Sequence, residues 1–340
     1  MRRFECENCS ATVTFGASQC PSCGWDLGYV PEQLAVRILQ SSGSDAEFTV
    51  RGDEGCARWR CLNAAWGCNW VLPAGVGDVW CRSCRLTRGR PDQADPAAVE
   101  AWSQAEAVKR KLIHQLDALG LPIEERTPRS PRGLAFDLVH VPGEVRVTGH
   151  LLGVVTLDLT ETDEARRDSL RRSYGEPLRT VIGHLRHEMG HYYWLRMVGE
   201  TDSLDRFRAL FGDDRRDYAT SMESFRDAGA HDPDESPYIT SYAASHPLED
   251  WAESFGHYLH IRDALETAEA HGLGPVTSSA PGSGSDGGFP EMLARWQQVA
   301  DALNAVADSL GSPAVYPLTP TGLVADKLAF VHERVRATAG

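Results

Sequence analysis

Apolar residues recur at helical spacing from residue 178 onward. At 100° per residue Leu178, Ile182, Leu185, Met189 and Tyr192 fall on one stripe, the side a surface helix turns to its core. Glu176-Pro177 opens this run and Gly199 can stop it, so a helix is expected between them. A second stripe, Leu248, Ala252, Phe255 and Leu259, follows Pro247 and the acidic pair Glu249 and Asp250, which suit a first helical turn. "GVVTLDL" at 153 to 159 alternates and is rich in β-branched residues, which predicts a strand. Residues 98 to 119 read as a helix ending near Gly120 and Pro122, and two more helical runs lie around 290 to 310 and 320 to 337. "SSAPGSGSDGG" at 278 to 288 reads as a flexible loop. Strands followed by helices make the class α+β.

The polar faces of the two main helices carry the chemistry. His184, His187 and His191 lie opposite the first apolar stripe, with Glu188 between the two faces. His187-Glu188-Met189-Gly190-His191 is H-E-x-x-H: one turn brings two imidazoles to one side, where both can bind Zn2+, and the glutamate leans toward an open coordination position. A chance pentapeptide is the alternative, and two imidazoles do not complete a site. A metzincin would place histidine six residues after His191, but Met197 stands there; the next histidine, His231, is forty residues on, which also weakens a SprT-like DNA–protein crosslink protease. A glutamate donor fits better. Glu249, Glu253, His257 and His260 share a side of the second helix, either as a solvated charged face or as the source of the missing ligand.

"HEMGHYYW", "SYAASHPLEDWAESFGHYLH" and the preceding "CENC…CPSC" together resemble a bacterial family of zinc-binding metallopeptidases with N-terminal zinc ribbons. The likeness runs nearly end to end, through "VTGHLLGVVTLDLTETDEARR", "LFGDDRRDYA" and "KLAFVH". More distantly, the spacing of Tyr242, Glu249 and Glu253 is similar to that of the lethal-factor group of gluzincins. The resemblance implies a gluzincin-like domain, a small mixed or antiparallel sheet with an HExxH helix and a glutamate helix. It implies His187, His191 and Glu249 as ligands of a catalytic zinc, and Glu253 as the group that orients a ligand histidine. Glu188 becomes the general base and Tyr242 the donor to the oxyanion. In such a domain an edge strand pairs with the extended substrate; residues 153 to 159 are the candidate, an internal strand the alternative.

Nine cysteines add a second argument. Cys6, Cys9, Cys20 and Cys23 form C-x2-C-x10-C-x2-C, the paired knuckles of a structural zinc site. Cys61, Cys68, Cys81 and Cys84 form a less regular C-x6-C-x12-C-x2-C in which Cys56 could replace one member; the family resemblance favours Cys61 and leaves Cys56 free. Zn2+ is thus the expected cofactor, one catalytic ion and two structural.

A length of 340 residues suggests two or three domains. The expected division is a ribbon at 1–29, a Ser/Gly/acidic linker at 30–55, a second ribbon at 56–90, a helical connector at 91–130, a metallopeptidase core at 131–270, and a loop with C-terminal helices at 271–340. The start "MRRFECENC" has no apolar signal core and no window approaches eighteen apolar residues, so a cytoplasmic protein without a membrane span is expected, with zinc thiolates rather than disulfides. Net charge −14 argues against nucleic acid as partner. The first ninety residues are near neutral, with ten Arg against nine Asp and Glu. A protein or peptide substrate, docked by the ribbons, is the expected partner; a zinc-stabilised scaffold is the other class, though a scaffold has no use for Glu188.

Overall fold

The computed structural model describes residues 3–43, 47–140, 149–174, 178, 180–229, 237–273 and 288–339. The chain divides into two compact units, Arg2–Thr162 and Asp163–Gly340. Each is built on a different principle.

The first unit is mostly β. β1 (Phe4–Glu5) and β2 (Thr12–Val13) form a small hairpin. β3 (Leu27–Val30), β4 (Ala35–Ser41), β5 (Phe48–Val50), β6 (Asp53–Arg60) and β7 (Val71–Pro73) follow as an antiparallel meander in sequence order. A parallel bridge between Tyr29 and Trp70 ties its first strand back to the approach of its last. Residues 30–55 were expected as a linker; those of them that are described instead carry β4, β5 and the start of β6, the middle of this sheet. Val36 and Ile38 alternate inward with Arg37 between them, and Val30, Leu39, Val50 and Val71 pack as one buried cluster. Gly28 is required here, because a Cβ would stand 2.8 Å from both Leu39 and Val71.

α1 (Arg82–Arg85) precedes α2 (Pro96–Ala118), which Asp95 caps by accepting from the Ala98 amide. From α2, His114 enters an aromatic cluster: its Nδ1 is 2.7 Å from the Tyr29 hydroxyl, and Phe4, Phe15 and Tyr29 pack around the ring. The first cysteine-bearing segment therefore shares a core with the meander and α2. β8 (Ala135–Val139), β9 (Gly149–Leu151) and β10 (Val154–Asp158) complete the unit in the order β8-β10-β9, parallel on one side and antiparallel on the other. β10 is the predicted strand, and it is central: both of its edges are occupied, so the edge-strand expectation is corrected. Phe136 of β8 pairs through backbone hydrogen bonds with Leu86 and Arg88, just after the last cysteine. That pairing makes the small sheet part of the N-terminal unit, where the expected boundary at 130/131 had assigned it to the peptidase core.

The second unit has no strand among its described residues. It contains α3 (Glu164–Tyr174), α4 (Val181–Trp194), α5 (Leu204–Phe211), α6 (Tyr218–Ala228), α7 (Pro247–Ala270), α8 (Gly288–Ser309) and α9 (Gly322–Thr338). α4 starts at Thr180, whose side chain accepts from the Gly183 amide; the start expected at Glu176-Pro177 lies outside the described residues. Beyond Trp194 the helix widens into one π turn, Leu195–Gly199. The predicted loop at 278–288 lies outside the described residues but for Gly288, the first residue of α8.

α4 and α7 meet backbone to backbone. A Cβ on Gly190 would stand 2.7 Å from Ala252 Cα, and one on Gly256 would be 3.3 Å from the His187 nitrogen. Beside the first of these contacts the fully buried Trp251 donates its indole N–H to the Gly190 carbonyl at 2.8 Å. Phe207, Phe211 and Phe330 enclose the same indole from α5 and α9. The glycine in H-E-x-x-H is thus what lets the second helix come close.

Candidate metal centre

The crossing sets three donor atoms face to face. His187 Nε2 and His191 Nε2 are 3.1 Å apart, and Glu249 Oε2 from the first turn of α7 lies 3.1 Å from the former and 3.3 Å from the latter. Nitrogen and oxygen ligands about 2.0–2.1 Å from a tetrahedral zinc stand about 3.3 Å from each other, so the triangle has the dimensions of one face of that tetrahedron. Glu249 Oε2 is buried and makes no well-directed hydrogen bond, although both imidazoles are at ion-pair distance. Electrostatics agree. Burial would lower the His187 pKa, yet Glu249 and Glu253 hold it well above the ordinary imidazole value. Burial would raise Glu249, yet His191 and His187 hold it well below the usual carboxylate range. The pocket favours a positive charge at its centre, and its residues fit Zn2+.

The surrounding groups fix the donors. Glu253 Oε1 is 2.7 Å from His187 Nδ1; a carboxylate can only accept, so Nδ1 carries a proton, and Nε2 is the nitrogen that would offer its lone pair to a metal at the centre. The other Glu253 oxygen accepts from the Thr240 hydroxyl at 2.6 Å. Glu188 is buried, with Oε1 3.3 Å from His184 Nε2 and Oε2 unpartnered. Burial would raise its pKa, but the His184 hydrogen bond and the neighbouring imidazoles keep it below the ordinary value, in the form a base needs. Tyr242 begins a short 3-10 turn, Tyr242–Ser245, with its ring centroid 5.9 Å from that of His187. His257 and His260, the other polar residues on that side of α7, lie away from the triangle: His257 Nδ1 meets the Tyr316 hydroxyl at 2.9 Å, and His260 Nδ1 is 2.7 Å from Arg186.

Both cysteine quartets gather, the first as its spacing predicts and the second with the member that the resemblance favoured. Sγ separations are 3.6 Å for Cys6–Cys23 and 3.7 Å for Cys9–Cys20, and 3.7 Å for both Cys68–Cys81 and Cys68–Cys84. Thiolates about 2.3 Å from one zinc stand about 3.8 Å apart. Cys61 completes the second group and Cys56 does not take part. Two amides turn toward the sulfurs, Cys81 N–H to Cys61 at 3.3 Å and Cys84 N–H to Cys81 at 3.4 Å.

Sequence reasoning passed over three residues of the centre. His184 stood on the correct face and received no role. Thr240 carried no signal. Tyr218, inside the quoted "LFGDDRRDYA", donates to Glu249 Oε1 at 2.8 Å, and nothing local to that motif points to a glutamate thirty-one residues on.

Two family models match the chain. One, described as "Putative zinc-binding metallo-peptidase", covers residues 98–334, and one for a zinc-ribbon domain covers residues 3–95. Uncharacterized proteins of Mycobacterium tuberculosis and Mycobacterium bovis are each 38% identical over 342 residues, spanning 100% of this chain and 96% of their own length. No solved structure matches. The chain belongs to this family of zinc-binding metallopeptidases with an N-terminal zinc ribbon. No helix among the described residues is long and apolar enough to cross a membrane.

Proposed function

We propose that the chain is a gluzincin-type endopeptidase in which His187, His191 and Glu249 hold the catalytic zinc and the two cysteine quartets hold structural zinc. The observation that carries this is the triangle of three inward-facing donor atoms beside the unpartnered Glu188 oxygen. Zinc, when bound, supplies a Lewis acid that brings the pKa of water toward neutrality and polarises a carbonyl. Glu188 Oε2 takes the proton of the attacking water, held ready by the His184 contact on the other oxygen, and delivers it to the leaving amine. Tyr242 donates its hydroxyl to the oxyanion, a contact stronger in the transition state than in the substrate complex. Glu253 keeps His187 in the tautomer that leaves Nε2 free. The substrate is a protein or peptide, with the ribbons serving stability or protein docking, and cysteines that form zinc sites rather than disulfides suit a reducing cytoplasm.

A proteome digest comparing wild type with Glu188→Gln tests this reading. Zinc content should be unchanged while hydrolysis falls by about 10²–10⁴-fold. Tyr242→Phe should also keep its zinc and lose roughly 10²–10³-fold. Cleavage that survives loss of both His187 and His191 would reject zinc chemistry, and cleavage absent from fully metallated wild type would favour a scaffold.

A further inference from the structure

A ligand glutamate offers two oxygens, and only one of them lies in the triangle. Glu249 Oε2 faces both imidazoles; Oε1 is turned away and accepts the Tyr218 hydroxyl at 2.8 Å. Tyr218 is the first residue of α6, and that end is held against the start of α7 by a second contact. His246, which caps α7 by accepting from the Leu248 amide through Nδ1, donates from Nε2 to the Arg216 carbonyl at 3.1 Å, and its ring lies 5.2 Å from that of Tyr218.

We infer that Tyr218 is a positioning residue that makes Glu249 a one-oxygen ligand. With Oε1 engaged by Tyr218, the carboxylate cannot swing both oxygens onto the metal, and a coordination position stays open for water and substrate. This rests on the proposed His187–His191–Glu249 zinc site. Tyr218 is 46% exposed, so removing one hydroxyl leaves the core packing alone.

The full chain with its ribbon zinc retained is the test material, as wild type, Tyr218→Phe and His187→Ala. Affinity of the exchangeable site is read by chelator competition, and its coordination from the visible spectrum after loading with Co2+. In Tyr218→Phe the affinity should fall by about 10–100-fold, and the cobalt bands should weaken as the carboxylate becomes two-oxygen and the ion five-coordinate. Equal affinity and an unchanged spectrum in wild type and Tyr218→Phe would overturn this inference while leaving the zinc site standing. An exchangeable ion that His187→Ala does not remove, or no such ion in wild type, would overturn the zinc site itself and this inference with it.

Discussion

The chain holds metal donors in two manners, and the contrast lies in what completes each set. A quartet closes on itself: four sulfurs from two knuckles, backbone amides aimed at the thiolates, and, in the second quartet, every cysteine buried. The three-donor centre on α4 and α7 is complete only on one face. Its geometry comes from a helix crossing rather than from a loop, and two of its three donors are hydrogen-bonded to a named neighbour: His187 to Glu253, Glu249 to Tyr218. Four thiolates leave no position for a substrate, whereas three donors on one triangular face leave one. Loops can wrap an ion tightly; a site that must admit another molecule needs rigid elements to keep its donors apart from each other and from the opening.

The largest effect that can test this contrast is loss of a thiolate. Cys68→Ser should lose the second ribbon ion and loosen the N-terminal unit, since structural zinc in finger peptides contributes about 10–16 kcal/mol of binding that is also folding energy. His187→Ala should lose a different ion and keep its circular dichroism. Metal analysis with limited proteolysis reads both, and a Cys68→Ser protein with full zinc and native protease resistance would show the quartet to be dispensable. Next is the steering of the open site. Glu253→Gln should bind zinc about 10–100-fold more weakly, while Glu249→Gln should not hold the ion at all; the reverse ranking in a chelator titration would exchange their roles. The smallest effect concerns the crossing. Gly190→Ala pushes a methyl against Ala252 and should cost about 1–3 kcal/mol of stability by denaturant unfolding, with ribbon zinc untouched. No change would mean that the helices can part without consequence.

Much of the open centre was legible because helical periodicity carries donors on known faces. His187, His191 and the side of α7 bearing Glu249 and Glu253 follow from spacing alone, while the choice of Glu249 came with the family likeness. The first quartet was equally plain, whereas the choice of Cys61 over Cys56 in the second came with the family likeness. What failed to read were features set by distant pairing. β5 is three residues long and follows a sequence rich in Ser, Gly and acidic residues, so composition outweighed the alternation of Val36 and Ile38 and the meander passed for a linker. "GVVTLDL" has the same alternation whether it lies at an edge or between two neighbours; only its pairing with β8 and β9 decides that. Tyr218 stands at the very start of α6 and Thr240 ahead of the Tyr242 turn, where no period marks the residue that points inward.

The indole of Trp251, clasped to the Gly190 carbonyl, has a consequence for identity as well as for packing. Glu249 and Glu253 are chemically the same residue, one turn apart on one helix. Sliding α7 by a turn, about 5.4 Å, would bring the second to where the first stands and leave His187 without its orienting carboxylate. A flat glycine contact by itself would tolerate such a slip. The indole does not, because it fits one carbonyl and sits between the two glutamates in sequence. The helix is indexed like a key on a shaft, and the division of labour between two like side chains is written in where that key engages.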